Sequence, residues 1–230
     1  MFIHCDPYIT PVSDCPYLPG KQSRFACFAA SELNENETEL LLSSGWRKFG
    51  MQFFRPFCAE CKQCVPVRVR ARELLLSDSL KKVVNRNKNT EVTFGPLEYS
   101  EEAYRIYAGH SEFRFNQQSD PEHFRHSLCY SSCPSLMTSY YVDGKLQGTG
   151  FLDRSENGLS TVYFVFSNES RHLSLGIFSV IKEIEYAVLA GLNYYYLGYL
   201  VEGCSRMAYK GRFHPYEIYD WERQQWIIEG

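Results

Sequence analysis

Residues 65–72 alternate strictly. Val65, Val67, Val69 and Ala71 fall on one side, and Arg68, Arg70 and Arg72 on the other. A period of two belongs to a strand, so the valine face is expected in a core. The arginine face is either a solvated edge or an anion-binding surface, and charge ordinarily means the solvated edge. Upstream, residues 1–20 hold four prolines and little periodicity, which predicts an irregular arm. Residues 21–30 predict a short strand. Residues 37–44 have helical spacing and stop at Gly45. Residues 46–54 predict a strand with Gly50 as a turn or bulge. A capped helix is expected over residues 79–87, with Val83 and Val84 inward, and another over 99–109. Asp120-Pro121-Glu122 opens a third. After Cys133-Pro134 the period shortens. Strands are predicted at 136–142, 145–153 and 159–166, separated by Asp143-Gly144 and Asn157-Gly158. A helix over 177–190 has apolar residues at Ile177, Val180, Ile181, Ile184 and Val188, and Gly191 ends it. A strand at 194–200 and a short helix at 205–210 follow. In that strand Tyr196 and Tyr199 have odd spacing, which predicts opposite faces, so that one at most faces a site.

Three antiparallel strands, a helix and a further strand resemble the order of the acyl-CoA N-acetyltransferase, or GNAT, fold. The expected class is α+β: a GNAT-like domain with a mixed sheet over residues 96–230, preceded by a smaller cysteine-containing domain over 1–95. In such folds the segment entering the helix offers backbone N–H groups to a ligand. Here that segment is residues 171–176, with a single glycine, Gly176.

Composition narrows the function. With 230 residues, 44% of them hydrophobic, the chain can bury a core. A net charge of −3 gives no global argument for nucleic acid, so such binding needs a local patch. The most basic short segment is the 79–87 helix and its end, with Lys81, Lys82, Arg86 and Lys88. Those cations suit a phosphate backbone or form an ordinary solvated face. No signal-like start and no apolar run of membrane length are visible, so a cytoplasmic protein with reduced thiols is expected.

Nine cysteines are present, three of them evenly spaced: Cys58, Cys61 and Cys64. Thiolates at that spacing suit Zn²⁺ or an iron–sulfur cluster and need a fourth ligand. Cys15, in the turn Asp14-Cys15-Pro16-Tyr17-Leu18-Pro19-Gly20, is the expected fourth. The alternative is buried free cysteines.

Several segments, in order along nearly the whole chain, together resemble one family. They are Cys15-Pro16-Tyr17-Leu18-Pro19-Gly20; Arg55-Pro56 with Cys58, up to Arg70; Leu159-Ser160 with Val162-Tyr163; and Ser174-Leu175-Gly176. Tyr196-Leu197-Gly198-Tyr199, Met207-Ala208-Tyr209-Lys210, and Phe213 with Pro215 complete the set. They are similar to bacterial aminoacyl-tRNA–protein transferases, which include aspartate/glutamate leucyltransferases and are related to arginyltransferases. The resemblance implies transfer of Leu or Arg from a charged tRNA to proteins with N-terminal Asp or Glu, with no membrane partner and no cofactor needed for the chemistry. Tyr163, Ser160 and the Leu175/Gly176 backbone would then line the ester site, with His172 as a candidate base. Arg68, Arg70, Arg125 and His126 are candidates for the acidic N-terminus. Lys81, Lys82, Arg86, Tyr199, Lys210 and Arg212 are expected to meet tRNA or substrate. Two rival readings stay open: an acetyl-CoA-dependent N-acetyltransferase and a non-catalytic module for acidic N-termini.

Overall fold

The computed structural model of the protein describes residues 1–229. Its elements in chain order are β1 (Phe2–Ile9), β2 (Ser13–Asp14), β3 (Gln22–Ser23), β4 (Phe25–Ser31), α1 (Glu35–Ser43), β5 (Arg47–Phe49), β6 (Gln52–Pro56) and β7 (Cys64–Arg70). Then come α2 (Asp78–Arg86), β8 (Glu91–Pro96), α3 (Glu101–Phe115), α4 (Pro121–Phe124), β9 (Ser135–Val142), β10 (Lys145–Arg154) and β11 (Gly158–Phe166). The remainder is α5 (Leu175–Leu189), β12 (Tyr194–Val201), β13 (Tyr216–Asp220) and β14 (Gln225–Glu229). Among the described residues no helix is long and apolar enough to cross a membrane.

The strands form two main sheets. The first has four strands in the order β1-β4-β6-β5, and the second has eight in the order β14-β13-β7-β12-β11-β10-β9-β8. The expected order of three antiparallel strands, a helix and a further strand is present: β9, β10 and β11 pair antiparallel, α5 crosses, and β12 runs parallel to β11. The boundary expected at residues 95/96 does not coincide with the boundary between sheets. β7 and β8 both lie in the eight-stranded sheet, so the sheets divide between β6 and β7.

Local chemistry explains most elements. Asn34 and Glu37 form a reciprocal cap at the start of α1. Asp120 caps α4, with Pro121 in its first turn. The Asp143-Gly144 pair, with φ of 49° and 72°, closes the β9–β10 hairpin. On one face of the large sheet, Val180, Ile181 and Ile184 of α5 pack against Leu152, Leu159 and Tyr195. On the other, Phe124 and Ala103 of α4 and α3 pack against Phe151 and Val165.

Two expectations are corrected. The first residues are not an irregular arm: β1 pairs antiparallel with β4, with register shifts on either side of the Cys5 pairing. β1 is an edge strand, which tolerates Pro7. The arginine face of β7 is not a solvated edge. β7 lies between β12 and β13, and Arg68 is as buried as its valine neighbours' surroundings demand, at 8% exposure. The valine face is core as predicted, with Val67 and Val69 fully buried.

Candidate active site

β11 and β12 pair over only three positions, ending at Ser160 opposite Tyr196; both strands then continue without pairing to each other. That parting opens the sheet beside the start of α5. Ser160, buried, marks its closed end. Tyr163 stands further along β11, where a register shift between β10 and β11 reorients the strand. Its ring is met edge-on by Phe49 at 6.4 Å, Tyr107 at 6.4 Å and His110 at 6.3 Å. Burial raises its phenol above the ordinary value, so the hydroxyl keeps its proton as a donor.

His110 was not singled out by the sequence. Its Nδ1 donates to the Phe166 carbonyl at 3.3 Å, and burial lowers its pKa, so it is neutral at pH 7. A histidine on a helix of weak amphipathicity gives no signal of this kind in sequence.

Lys210 lies on the side of β12 that faces β7. Its Nζ donates to the Tyr199 carbonyl at 2.7 Å. Tyr199 faces Pro66 across the β12–β7 ladder, and Pro66 has no N–H to offer that carbonyl. Lys210 is buried, and burial, then the nearby positive charge of Arg47, brings its ammonium down to about 7.

The entry to α5 is held from α2. Arg86 donates Nη1 to the His172 carbonyl at 2.8 Å and lies 3.3 Å from Ser174 Oγ. Asn87 donates Nδ2 to the Leu173 carbonyl at 2.8 Å. Arg86 of the basic helix thus positions the loop. His172 itself is exposed and donates Nδ1 to the Glu169 carbonyl at 3.1 Å. Gly176 sits in the first turn of α5, beside Phe164 and Phe166.

Tyr196 and Tyr199 do not lie on opposite faces. A register shift between Tyr196 and Gly198, with Gly198 at φ +86°, breaks the alternation of β12. Both rings meet the Arg47 guanidinium, at 5.4 and 5.8 Å. Tyr196 donates to Glu39 Oε1 at 2.7 Å, and Tyr199 to the Gly45 carbonyl at 2.8 Å. Both therefore fasten the first sheet and α1 onto the second.

The arginines of β7 are already partnered. Arg68 meets Glu217 Oε2 and Arg70 meets Glu217 Oε1, each at 2.6 Å. Arg68 also lies 3.7 Å from the ring centre of Tyr194 and 4.3 Å from that of Trp226. Arg125 stacks on Tyr99 at 3.9 Å and pairs with Glu122 at 3.6 Å, and His126 is exposed beside it. Lys81 and Lys82 project from α2 into solvent, Lys81 near Asp78. Arg212, exposed, lies 3.3 Å from Ser79 Oγ. The structure places Ser160 and Tyr163 along β11 at the opening, Gly176 beside Phe164 and Phe166 at the start of α5, and Lys210 on the β7 side of β12; Arg70, Lys81, Lys82, Arg125 and His126 are exposed or paired elsewhere.

The cysteines collect elsewhere, where β7 begins and β12 ends. Burial, then the neighbouring thiols of Cys15, Cys58, Cys61 and Cys204, push the Cys64 thiol up to about 12. Cys204 is a fifth thiol that spacing did not reveal. The donors have the right chemistry for a thiophilic ion. Among the described residues, however, no three His, Cys, Asp or Glu side chains close on one point as a metal shell does.

Comparison with known proteins shows the family of the chain. A family model described as the N terminus of arginine-tRNA-protein transferase matches residues 13–82, and the corresponding C-terminal model matches 102–220. The chain is 32% identical to an aspartate/glutamate leucyltransferase of Marinobacter nauticus, over 91% of each chain. It is 29% identical to one of Chromobacterium violaceum, over 97% of this chain and 94% of that protein. Among solved structures, a C-terminal domain from Agrobacterium fabrum assigned to a lysylphosphatidylglycerol synthetase is similar in fold, with a TM-score of 0.52 and 15% identity. That likeness covers 79% of this chain and 64% of that one.

Proposed function

The chain belongs to the arginine-tRNA-protein transferase family, and on that footing we propose that it moves leucine from aminoacyl-tRNA to the α-amine of proteins beginning with Asp or Glu. The observation that carries this reading is the likeness to aspartate/glutamate leucyltransferases along nearly the full length of both chains. The protein is an aminoacyltransferase.

The reaction is aminolysis of an ester. The target's α-amine attacks the carbonyl carbon, the ester C–O bond to the tRNA ribose breaks, and an amide forms. The ester is already activated, so positioning supplies much of the rate. An α-amine with a pKa near 8 is partly neutral at pH 7, so a weak acceptor suffices for its proton. The opening between β11 and β12 is the place for the ester. Tyr163, protonated and half-buried there, is the donor for the developing oxyanion. Ser160 and the Leu175/Gly176 backbone complete the wall, and His172, at the mouth of α5, is the base candidate.

Purified protein supplied with labelled leucyl-tRNA and a peptide beginning with Asp is expected to label the peptide, and arginyl-tRNA to serve less well. Tyr163→Phe is expected to lower kcat about a hundredfold with the fold intact. No label from either tRNA with wild-type protein would remove the transferase reading, and full activity in Tyr163→Phe would remove the oxyanion role.

We also infer that Cys15, Cys58, Cys61 and Cys64 take up Zn²⁺ or an iron–sulfur cluster as a structural or redox centre apart from the chemistry. Anaerobic purification followed by metal analysis and visible absorbance tests it. Stoichiometric metal that falls severalfold in Cys15→Ser supports the ligand set; metal-free protein sinks it.

A further inference from the structure

Three arginines from three elements border the entry to α5. Arg86, at the end of α2, turns Nη1 to the His172 carbonyl and to Ser174 Oγ. Arg171, in the loop itself, lies 4.7 Å from the ring centre of Phe113 on α3. Arg114, the next residue along α3, lies 5.9 Å from the ring centre of Phe166, the last residue of β11. That ring stands beside Gly176 in the first turn of α5. All three arginines are exposed, and so is Phe113, at 54%.

These cations are unlike the others. Arg68, Arg70, Arg105, Arg125, Arg154 and Arg223 each meet an acid at 3.9 Å or less. Among the described residues Arg86, Arg114 and Arg171 meet none. Glu112 and Glu169, their acidic neighbours in sequence, form no ion pair with them among those residues.

The arc reaches the opening in the sheet. His110, one turn before Arg114, touches the rings of Phe166 and Tyr163, with centres 5.1 and 6.3 Å away. Burial raises the phenols of Tyr163 and Tyr209, and the Arg114 charge opposes it at both. An ester seated at Tyr163 is the end of a single strand of nucleotides. On the α5 side, the ground that strand crosses as it leaves is this arc.

Resting on the transferase reading above, we propose that Arg86, Arg114, Arg171 and Phe113 seat the single-stranded 3′ end of aminoacyl-tRNA. Successive phosphates take one cation each, which suits arginines set apart on three elements. A lone carboxylate of a target protein would occupy one guanidinium and leave the rest idle. The exposed Phe113 ring, with Arg171 against it, is a platform for an unpaired base, which stacks on aromatic side chains without regard to sequence. With a net charge of −3, the chain needs such a local patch to hold a polyanion.

The test is equilibrium binding of uncharged leucine tRNA across a salt series, with no peptide present. A second probe is the same tRNA trimmed back to its acceptor duplex. Wild-type protein is expected to bind the trimmed tRNA more weakly than the intact one. Arg114→Gln and Arg171→Gln are each expected to reduce the slope of log affinity against log salt by about 0.7, the share of one single-strand phosphate. Phe113→Ala is expected to weaken intact tRNA about tenfold. All three variants are expected to bind trimmed tRNA as wild type does. The side chains are exposed, so the variants are expected to fold; Arg86 is left unchanged because it also holds the loop. Variants that bind intact tRNA as wild type does overturn the proposal, as does wild-type protein that binds both tRNAs alike. A third contrary result is unchanged tRNA affinity with a reduced preference for Glu over Gln at the first position of a peptide. The arc would then read the target's acid instead. Wild-type protein that binds tRNA and transfers no leucine would count against the transferase reading alone.

Discussion

Glu217→Gln is expected to cost the protein about 3–5 kcal/mol, because it removes the charge from one side of a buried pair and leaves the other in place. Glu217 is 4% exposed and accepts from Arg68 on one oxygen and Arg70 on the other. The substituted amide keeps the shape and loses the compensation. Arg68 is 8% exposed, with Tyr194 and Trp226 against its guanidinium. Native stabilities run to about 5–15 kcal/mol, so the loss is a large share of the whole. Urea denaturation of the two proteins measures it. A double change to Arg68→Met and Glu217→Leu is expected to recover much of the loss, since an apolar pair carries no desolvation penalty. A cost below about 1 kcal/mol for Glu217→Gln would mean the pair behaves as a surface salt bridge.

The second large effect concerns pH. Glu183, on α5, is buried beneath the sheet and accepts hydrogen bonds from Tyr195, Tyr140 and Thr138. Burial pushes its carboxyl up to about 7, against the three hydroxyls that pull it down. The fold therefore holds this proton more tightly than the unfolded chain does. The stability it contributes is complete below about pH 4.5 and is lost as pH rises through about 7. Above that the ionised group costs about 3 kcal/mol. Glu183→Gln cannot ionise, so the difference between wild-type and variant stability curves is expected to slope between these limits and to be flat above pH 8. Denaturant titrations across pH 4–9 would show it; parallel curves would rule it out. Gly150 belongs to the same arrangement. A Cβ there would stand 2.8 Å from Glu183 Oε1 and closer still to Thr138 Oγ1.

The half of the chain after Cys133 was legible because its signals are local. Asp143-Gly144 sets a hairpin, the apolar spacing of α5 marks one helix, and alternation marks β9 to β11. What stayed hidden depends on partners distant in sequence. Nothing in residues 64–70 tells that β12 and β13 flank them, so their arginines read as solvent-facing. Charge usually marks exposure, and only Glu217, far along the chain, reverses that here. Tyr196 and Tyr199 were misplaced because an ideal strand alternates, whereas the Gly198 bulge makes both face Arg47. Ser160, Tyr163 and Gly176 became candidates through motif resemblance. The buried Lys48–Asp153 pair stayed hidden, since two cations in a three-residue strand look like surface. An aspartate closing the apolar run Gly150-Phe151-Leu152-Asp153 was the one available sign of a buried charge.

The central position of β7 also constrains how the chain reaches its fold. Arg68 meets Tyr196 across 128 residues of sequence and Glu217 across 149. During synthesis β7 emerges with both hydrogen-bonding edges unmet, and neither neighbour exists until most of the second sheet has been made. Such long-range closure makes folding slow, and in the interval a valine-rich strand with open edges is a template for intermolecular pairing. The positive charges on its other face repel a second copy of the same strand. The arginines that the finished protein buries against Glu217 thus serve the nascent chain as guards against self-association.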